Sequence, residues 1–161
     1  MKTRIIYYSY SGTTRGIAEK IRDACGGNLV DVKLIRDYST LTAYSLGCYR
    51  AAKGVSDPIE QSVIDVYGDD LLVIGTPVWA GRATPAVNAA VEALRGCRGK
   101  KAVIFATCKG GARETLPLLK KSLEEKGVTV AGEFVFTPPD LADPAKISAL
   151  VSEMTTAGSV P

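Results

Sequence analysis

The sequence predicts a doubly wound α/β fold, a five-stranded parallel sheet with helices on both faces. Three observations carry that expectation. Apolar, β-type runs recur at Arg4 to Tyr8, Leu29 to Ile35, Leu71 to Gly75, Ala102 to Thr107 and Val128 to Phe136. Stretches with helical periodicity fill most of the intervals, and the first run enters the first helix through a tight loop of hydroxyl residues and one glycine. Strand and helix signals that alternate in this way imply crossover connections, which keep neighbouring strands parallel and cover both faces of the sheet.

The elements follow in order. After the first run, Ile17, Ile21 and Cys25 share a helix face that ends at Gly26-Gly27, where glycine permits a left-handed cap. Beyond the second run the pattern weakens. Asp37 to Gly68 holds Tyr38, Tyr44, Tyr49 and Pro58 and reads as a long loop with one short helix. A loop of that length in a compact domain is more often functional than idle. After the third run, Thr84-Pro85 places a cap residue before proline at the first helical position, and Val87, Ala90, Val91 and Leu94 form a face expected to end at Gly96. The fourth run precedes a stripe of Leu116, Leu119 and Leu123 closed by Lys126-Gly127. The fifth is followed by Asp143-Pro144 and a helix carrying Ile147, Leu150, Val151 and Met154. Residues 1–154 are therefore expected to form a single domain, and 155–161, without apolar periodicity, a frayed tail.

Composition narrows the function. The length of 161 residues suits one domain, and 46% hydrophobic with 23% charged residues is globular. No run approaches the roughly 18 apolar residues of a membrane helix, so no membrane span and a cytoplasmic location are expected. Cys25, Cys48, Cys97 and Cys108 show no C-x-x-C spacing and read as free thiols. The chain has no histidine, which excludes a Ser-His-Asp hydrolase and a His-ligated metal site, so any chemistry falls to a cofactor. The formal charge of +3 comes from 20 basic and 17 acidic residues that are scattered, which does not favour nucleic acid.

Three loops lie where ligands bind in such a sheet, outside the carboxyl ends of the strands. The first, Ser9-Tyr10-Ser11-Gly12-Thr13-Thr14, is a candidate phosphate cradle, in which amide N–H groups, the helix dipole and hydroxyls attract an anion that small side chains do not obstruct. It has neither the Lys-Ser/Thr ending of a Walker loop nor G-x-G-x-x-G spacing. The alternative is a Ser/Thr helix cap with a turn glycine. The second loop, Thr76 to Thr84, carries the only tryptophan, Trp79, either as a stacking platform or as a cover for the end of the core. The third, Thr107 to Arg113, has paired glycines, Gly110 and Gly111, that let amides approach a ligand edge. Cys108 reads as a small packed residue, and Arg82 and Arg113 equally well as solvated rim charges.

The patterns Ser9-x-Ser11-Gly12-x-Thr14 and Gly75-x-Pro77-x-Trp79, with the third loop in order, resemble the flavin loops of the flavodoxin family over nearly the whole chain. The resemblance implies sheet order 2-1-3-4-5 and a non-covalent FMN. Ser9, Tyr10, Ser11, Gly12, Thr13 and Thr14 would hold the phosphate, while Thr76, Pro77, Val78, Trp79, Ala80 and Gly81 would flank the ring. Thr107, Cys108, Gly110 and Gly111 would close the other edge, with no catalytic residue and no metal. Two departures stand out: flavodoxins are commonly strongly acidic, whereas this chain is slightly basic and offers Arg15, Lys109 and Arg113 near the rim, and Ala80 replaces a frequent glycine, leaving Gly81 to supply any backbone contact to the ring.

The implied function is an electron carrier between redox partner proteins, with an acidic, ferredoxin-type partner suiting the basic rim. The alternative is an NAD(P)H-dependent FMN oxidoreductase of the quinone reductase type, monomeric or homodimeric. A receiver domain of the same topology is disfavoured, since Tyr8, Ser9 and Thr76 stand where its acidic residues would be needed.

Overall fold

The computed structural model describes residues 1–159. In chain order its elements are β1 (Thr3–Tyr7), α1 (Thr13–Cys25), β2 (Asn28–Asp31), α2 (Thr40–Thr42), α3 (Cys48–Ala52), β3 (Ile64–Asp65), β4 (Leu71–Trp79), β5 (Arg82–Ala83), α4 (Pro85–Ala93), β6 (Leu94–Arg95), β7 (Lys101–Thr107), α5 (Thr115–Glu125), β8 (Thr129–Phe136) and α6 (Pro144–Ser159). The central sheet runs β2-β1-β4-β7-β8, all parallel, which is the expected 2-1-3-4-5 order once the two-residue strands are set aside.

The alternation of side chains along each strand sorts them onto two cores. Ile6, Leu72, Ile74 and Ile104 pack with Val87, Ala90 and Val91 of α4 and Leu116, Leu119 and Leu123 of α5. Their neighbours Ile5, Val73, Val103 and Phe105 face the other way, onto Ile17 and Ile21 of α1 and Ile147, Leu150 and Met154 of α6.

Five expectations change in detail. The second strand stops at Asp31, and Leu34 instead makes an isolated antiparallel bridge with Ile59. The third strand runs on from Gly75 to Trp79 and turns back as a hairpin, pairing Val78 with Ala83 and Trp79 with Arg82. Ala80 (φ 51) and Gly81 (φ 75) form its turn, so Trp79 stands on a strand end and not on a loop. A two-residue hairpin turn of this kind matches the twist of its strands only with both central residues at positive φ. Helix α4 ends at Ala93, because Leu94 (φ −59, ψ 131) leaves the helix to pair with Ile64, and Gly96 caps nothing. The segment from Asp37 to Gly68 is more helical than a loop with one short helix: α2, a π-helical turn at Ala43–Gly47 and α3 run on without a break. The end of the chain is not frayed where it is described. Helix α6 continues to Ser159, with Ala157 buried and its carbonyl accepting a bond from Lys101 Nζ at 3.0 Å. Residues 160 and 161 of the expected tail lie outside the described residues.

All four cysteines are free thiols, and among the described residues no helix is long and apolar enough to cross a membrane.

Ala80 is a test of the hairpin. An L-residue in the left-handed region carries about 1–2 kcal/mol of strain, so Ala80→Gly should raise unfolding free energy by roughly 0.5–1 kcal/mol after the extra entropy of the unfolded glycine. Denaturant titration should show a higher midpoint at unchanged slope, and a lower midpoint would contradict the turn.

Candidate functional site

A cavity of about 520 Å³ opens at the carboxyl ends of the sheet strands. The β1–α1 loop contributes Tyr10, Ser11, Thr13 and Thr14 to its wall, the hairpin contributes Pro77, Val78, Trp79 and Ala80, and the β7–α5 loop contributes Thr107, Cys108 and Lys109. The sequence reading placed ten of these eleven in the site and left Lys109 as a rim charge.

In the first loop the hydroxyls bond to one another and leave the helix end bare. Gly12 is the N-cap of α1 in the left-handed region (φ 95), and among the described residues no side chain caps the helix and no acid stands in its first turn. Ser9 Oγ accepts the Gly12 N–H at 3.1 Å, and Ser11 Oγ lies 3.3 Å from Thr13 Oγ1. Thr14 Oγ1 and Thr107 Oγ1 share a buried hydrogen bond of 2.8 Å, which ties the first and third loops together. The helix-cap alternative therefore does not describe these residues, and the positive end of α1 faces the cavity without a counter-charge. Arg15 turns away, donating from Nη2 to Asp31 at 2.7 Å, so the cradle is neutral.

Trp79 lines the cavity and also packs against the cluster of apolar side chains beneath it, so it does cover the end of the core. The rings of Tyr8, Tyr10 and Tyr38 meet it nearly perpendicular, at centroid distances of 6.1, 5.7 and 5.5 Å. Gly47 backs it so closely that a Cβ there would lie 2.6 Å from Trp79 Cζ3. Tyr38 donates its hydroxyl to Asp57, which also accepts from Arg50 Nε, and burial first, then that bond, pushes the Tyr38 phenol up to about 12. Burial also raises the Tyr8 phenol.

Six of the expected site residues do not line the cavity. Thr76 is fully buried and holds the hairpin, donating to the Pro77 carbonyl at 2.8 Å and accepting the Thr84 N–H at 3.2 Å. Gly81 gives room to Arg113, whose Cδ would lie 2.8 Å from an added Cβ. Ser9 and Gly12 are tied to each other by the Gly12 N–H to Ser9 Oγ bond and are not wall residues. Gly110 and Gly111 have nothing within 4 Å of an added Cβ, so nothing around them demands glycine.

Two further walls lie outside the three loops singled out in the sequence, the first within the long 37–68 segment for which covering a ligand is one of the open roles. Ala43, Tyr44 and Cys48 reach the cavity from the helical arm, and Phe136, Thr137, Pro138 and Leu141 reach it from the end of β8. The rule that ligands sit at strand carboxyl ends, applied to the fifth strand as well, would have found the second group. There Asp140 accepts the Thr137 N–H at 2.7 Å and pairs with Lys146 at 3.0 Å, which hold its carboxyl down at about 2. Burial pushes the Cys108 thiol up.

With this geometry in hand, a family model described as Flavodoxin matches residues 2–131. No curated protein sequence matches the chain. Among solved structures, a flavoprotein in complex with FMN from Lactobacillus acidophilus NCFM is 24% identical, covers 92% of this chain and 97% of its own, and has a TM-score of 0.73. A putative flavoprotein from Bacteroides uniformis is 19% identical over 94% and 97%, with a TM-score of 0.79. An NADH:FMN oxidoreductase is 20% identical over 100% and 92%, with a TM-score of 0.64.

Proposed function

From the premise that the chain belongs to the flavodoxin family, we propose that it binds FMN non-covalently in this cavity and serves as an electron-transfer flavoprotein. The observation that carries the reading is the bare N-terminus of α1, ringed by the hydroxyls of Ser11, Thr13 and Thr14, at one end of a cavity whose other walls include the Trp79 hairpin. Its volume lies within the ~300–1,000 Å³ of small-molecule sites.

Bound FMN supplies the capacity to take up and release electrons. Everything else falls to the chain. The first-turn N–H groups of α1 and the three hydroxyls hold the phosphate, with Thr14 fixed by Thr107. Pro77, Val78, Trp79 and Ala80 present a largely apolar wall for the ring, and Phe136 and Leu141 add apolar surface from the end of β8. Among the described residues the wall holds no carboxylate and no histidine, the side chains most often used in acid–base bond chemistry, which supports exchange of electrons with an outside protein partner as the leading role.

A second reading, oxidation of a nicotinamide nucleotide at the same site, is favoured by Lys109, a cation at the cavity wall suited to an anionic substrate. Rapid anaerobic bleaching of the bound flavin by NADH or NADPH alone would select it, and no bleaching would select the carrier.

Titration of the flavin-free protein tests the core claim. FMN should bind at one per chain, and riboflavin about 30-fold or more weaker, because charge-assisted bonds to the phosphate contribute roughly 2 kcal/mol. Equal affinities would remove the phosphate cradle, and no uptake of FMN would remove the function.

A further inference from the structure

We propose that Lys109 biases the cavity toward the reduced, negatively charged flavin, so that two-electron reduction is easier here than with a neutral residue at that position; this rests on the FMN reading above. The inference comes from the charges that are left once every ion pair around the site is accounted for. Arg15 pairs with Asp31, Arg50 with Asp57, Arg82 with Glu114 and Lys146 with Asp140. Asp37 and Arg113, which have no ion pair, are exposed and lie outside the cavity wall, Arg113 packing against Gly81 of the hairpin turn. No carboxylate lines the cavity, and the titratable groups that do, other than Lys109, are the phenols of Tyr10 and Tyr44 and the thiols of Cys48 and Cys108. Among the described residues Lys109 makes no hydrogen bond or ion pair, so the fixed side-chain charge of the wall is one uncompensated ammonium.

The redox consequence follows from charge balance. When a hydride donor, or two one-electron donors with a proton, reduces an oxidised flavin ring, the ring gains two electrons and one proton and ends with one negative charge. An ammonium in the wall is attracted to that product and has no such partner in the neutral oxidised ring. Only this difference moves the equilibrium, because a contact equal in both states shifts nothing. Lys109 is exposed, so water and salt weaken the attraction without abolishing it. The same charge leaves the phosphate cradle alone, since that cage is built from Ser11, Thr13, Thr14 and the helix end.

The test is an equilibrium reductive titration of FMN-loaded protein with dithionite and a reference dye, on the parent and on Lys109→Ala, Lys109→Arg and Lys109→Glu. Replacing the lysine by alanine should reduce the preference for reduced over oxidised FMN about threefold to tenfold, a shift of ~15–30 mV to lower potential for a two-electron couple. Arginine should keep the parent value, glutamate should shift it roughly twice as far as alanine, and all shifts should shrink as salt rises. The affinity for oxidised FMN, measured separately by fluorescence, should stay within about threefold throughout. Identical potentials across the four proteins would overturn the proposal and make Lys109 a solvated rim charge, and a shift insensitive to salt would overturn its electrostatic basis. Failure of the parent to take up FMN would overturn the cofactor reading itself, a result visible before any potential is measured.

Discussion

Thr13→Asp is expected to remove high-affinity FMN binding while leaving the empty protein at least as stable as the parent. Thr13 is the first residue of α1 and lines the cavity, and its hydroxyl is 3.3 Å from Ser11 Oγ. The helix has no side-chain cap and no acid in its first turn. A carboxylate introduced there meets the positive end of the helix dipole and should add about 0.3–1 kcal/mol of stability in the absence of ligand. The same carboxylate would confront a phosphate dianion in a neutral cradle, since Arg15 is committed to Asp31 and the one cation of the cavity wall, Lys109, belongs to the β7–α5 loop. Repulsion and the lost hydroxyl together should weaken FMN about 100-fold or more, near 2.7 kcal/mol. Riboflavin, which lacks the phosphate, should bind the variant as it binds the parent. The opposite signs of the two effects separate a binding defect from a folding defect. Parent-like FMN affinity in a folded Thr13→Asp protein would show that the phosphate does not sit at this helix end.

The features that were legible in the sequence share a physical cause: their side chains are sorted by burial. Ile17 and Ile21, Val87 and Val91, and Leu116, Leu119 and Leu123 repeat at helical spacing because each set faces a core, and Ile5 and Ile6 alternate because the sheet is covered on both sides. The arm from Thr40 to Ala52 hides itself for the converse reason. Leu41, Tyr44, Leu46 and Tyr49 are 80%, 75%, 51% and 60% exposed, and the face that is buried consists of Ala43, Gly47 and Ala51, residues too small to stand out as an apolar stripe. Trp79 could be proposed for the site from the Gly75-x-Pro77-x-Trp79 pattern, but not placed on a strand, because the hairpin depends on Ala80 adopting a backbone conformation that alanine rarely takes. Gly47 is invisible for another reason. It lies in ordinary right-handed backbone, and only the indole 2.6 Å from its absent Cβ explains the glycine. The Thr14–Thr107 bond joins residues 93 apart in the chain, a contact that local spacing does not encode.

Gly75→Ala is expected to destabilise the fold by about 3 kcal/mol, the upper part of the range for overpacking a well-filled core, and to disturb the cavity at the same time. Gly75 pairs with Tyr7 of β1 on one side and Phe105 of β7 on the other, at the middle of the sheet. Its φ is not positive, so the backbone would accept alanine; the requirement is for space. A Cβ there would lie 2.2, 2.6 and 2.8 Å from Cζ, Cε1 and Cε2 of Phe105. That ring is fully buried and stands edge-on to Phe136 at 5.9 Å, with an interplanar angle of 89°. Phe105 therefore has to push Phe136 if it is to move, and Phe136 lines the cavity. Denaturant titration should show the loss in stability, and FMN affinity should fall even under conditions where the variant stays folded. Phe105→Leu frees the same space, so Gly75→Ala should cost less in that background than in the parent, with a coupling of about 1–2 kcal/mol in the double-mutant cycle. If the two substitutions simply add, the glycine is not there to seat the ring, and the link from the sheet's centre to the flavin wall is lost.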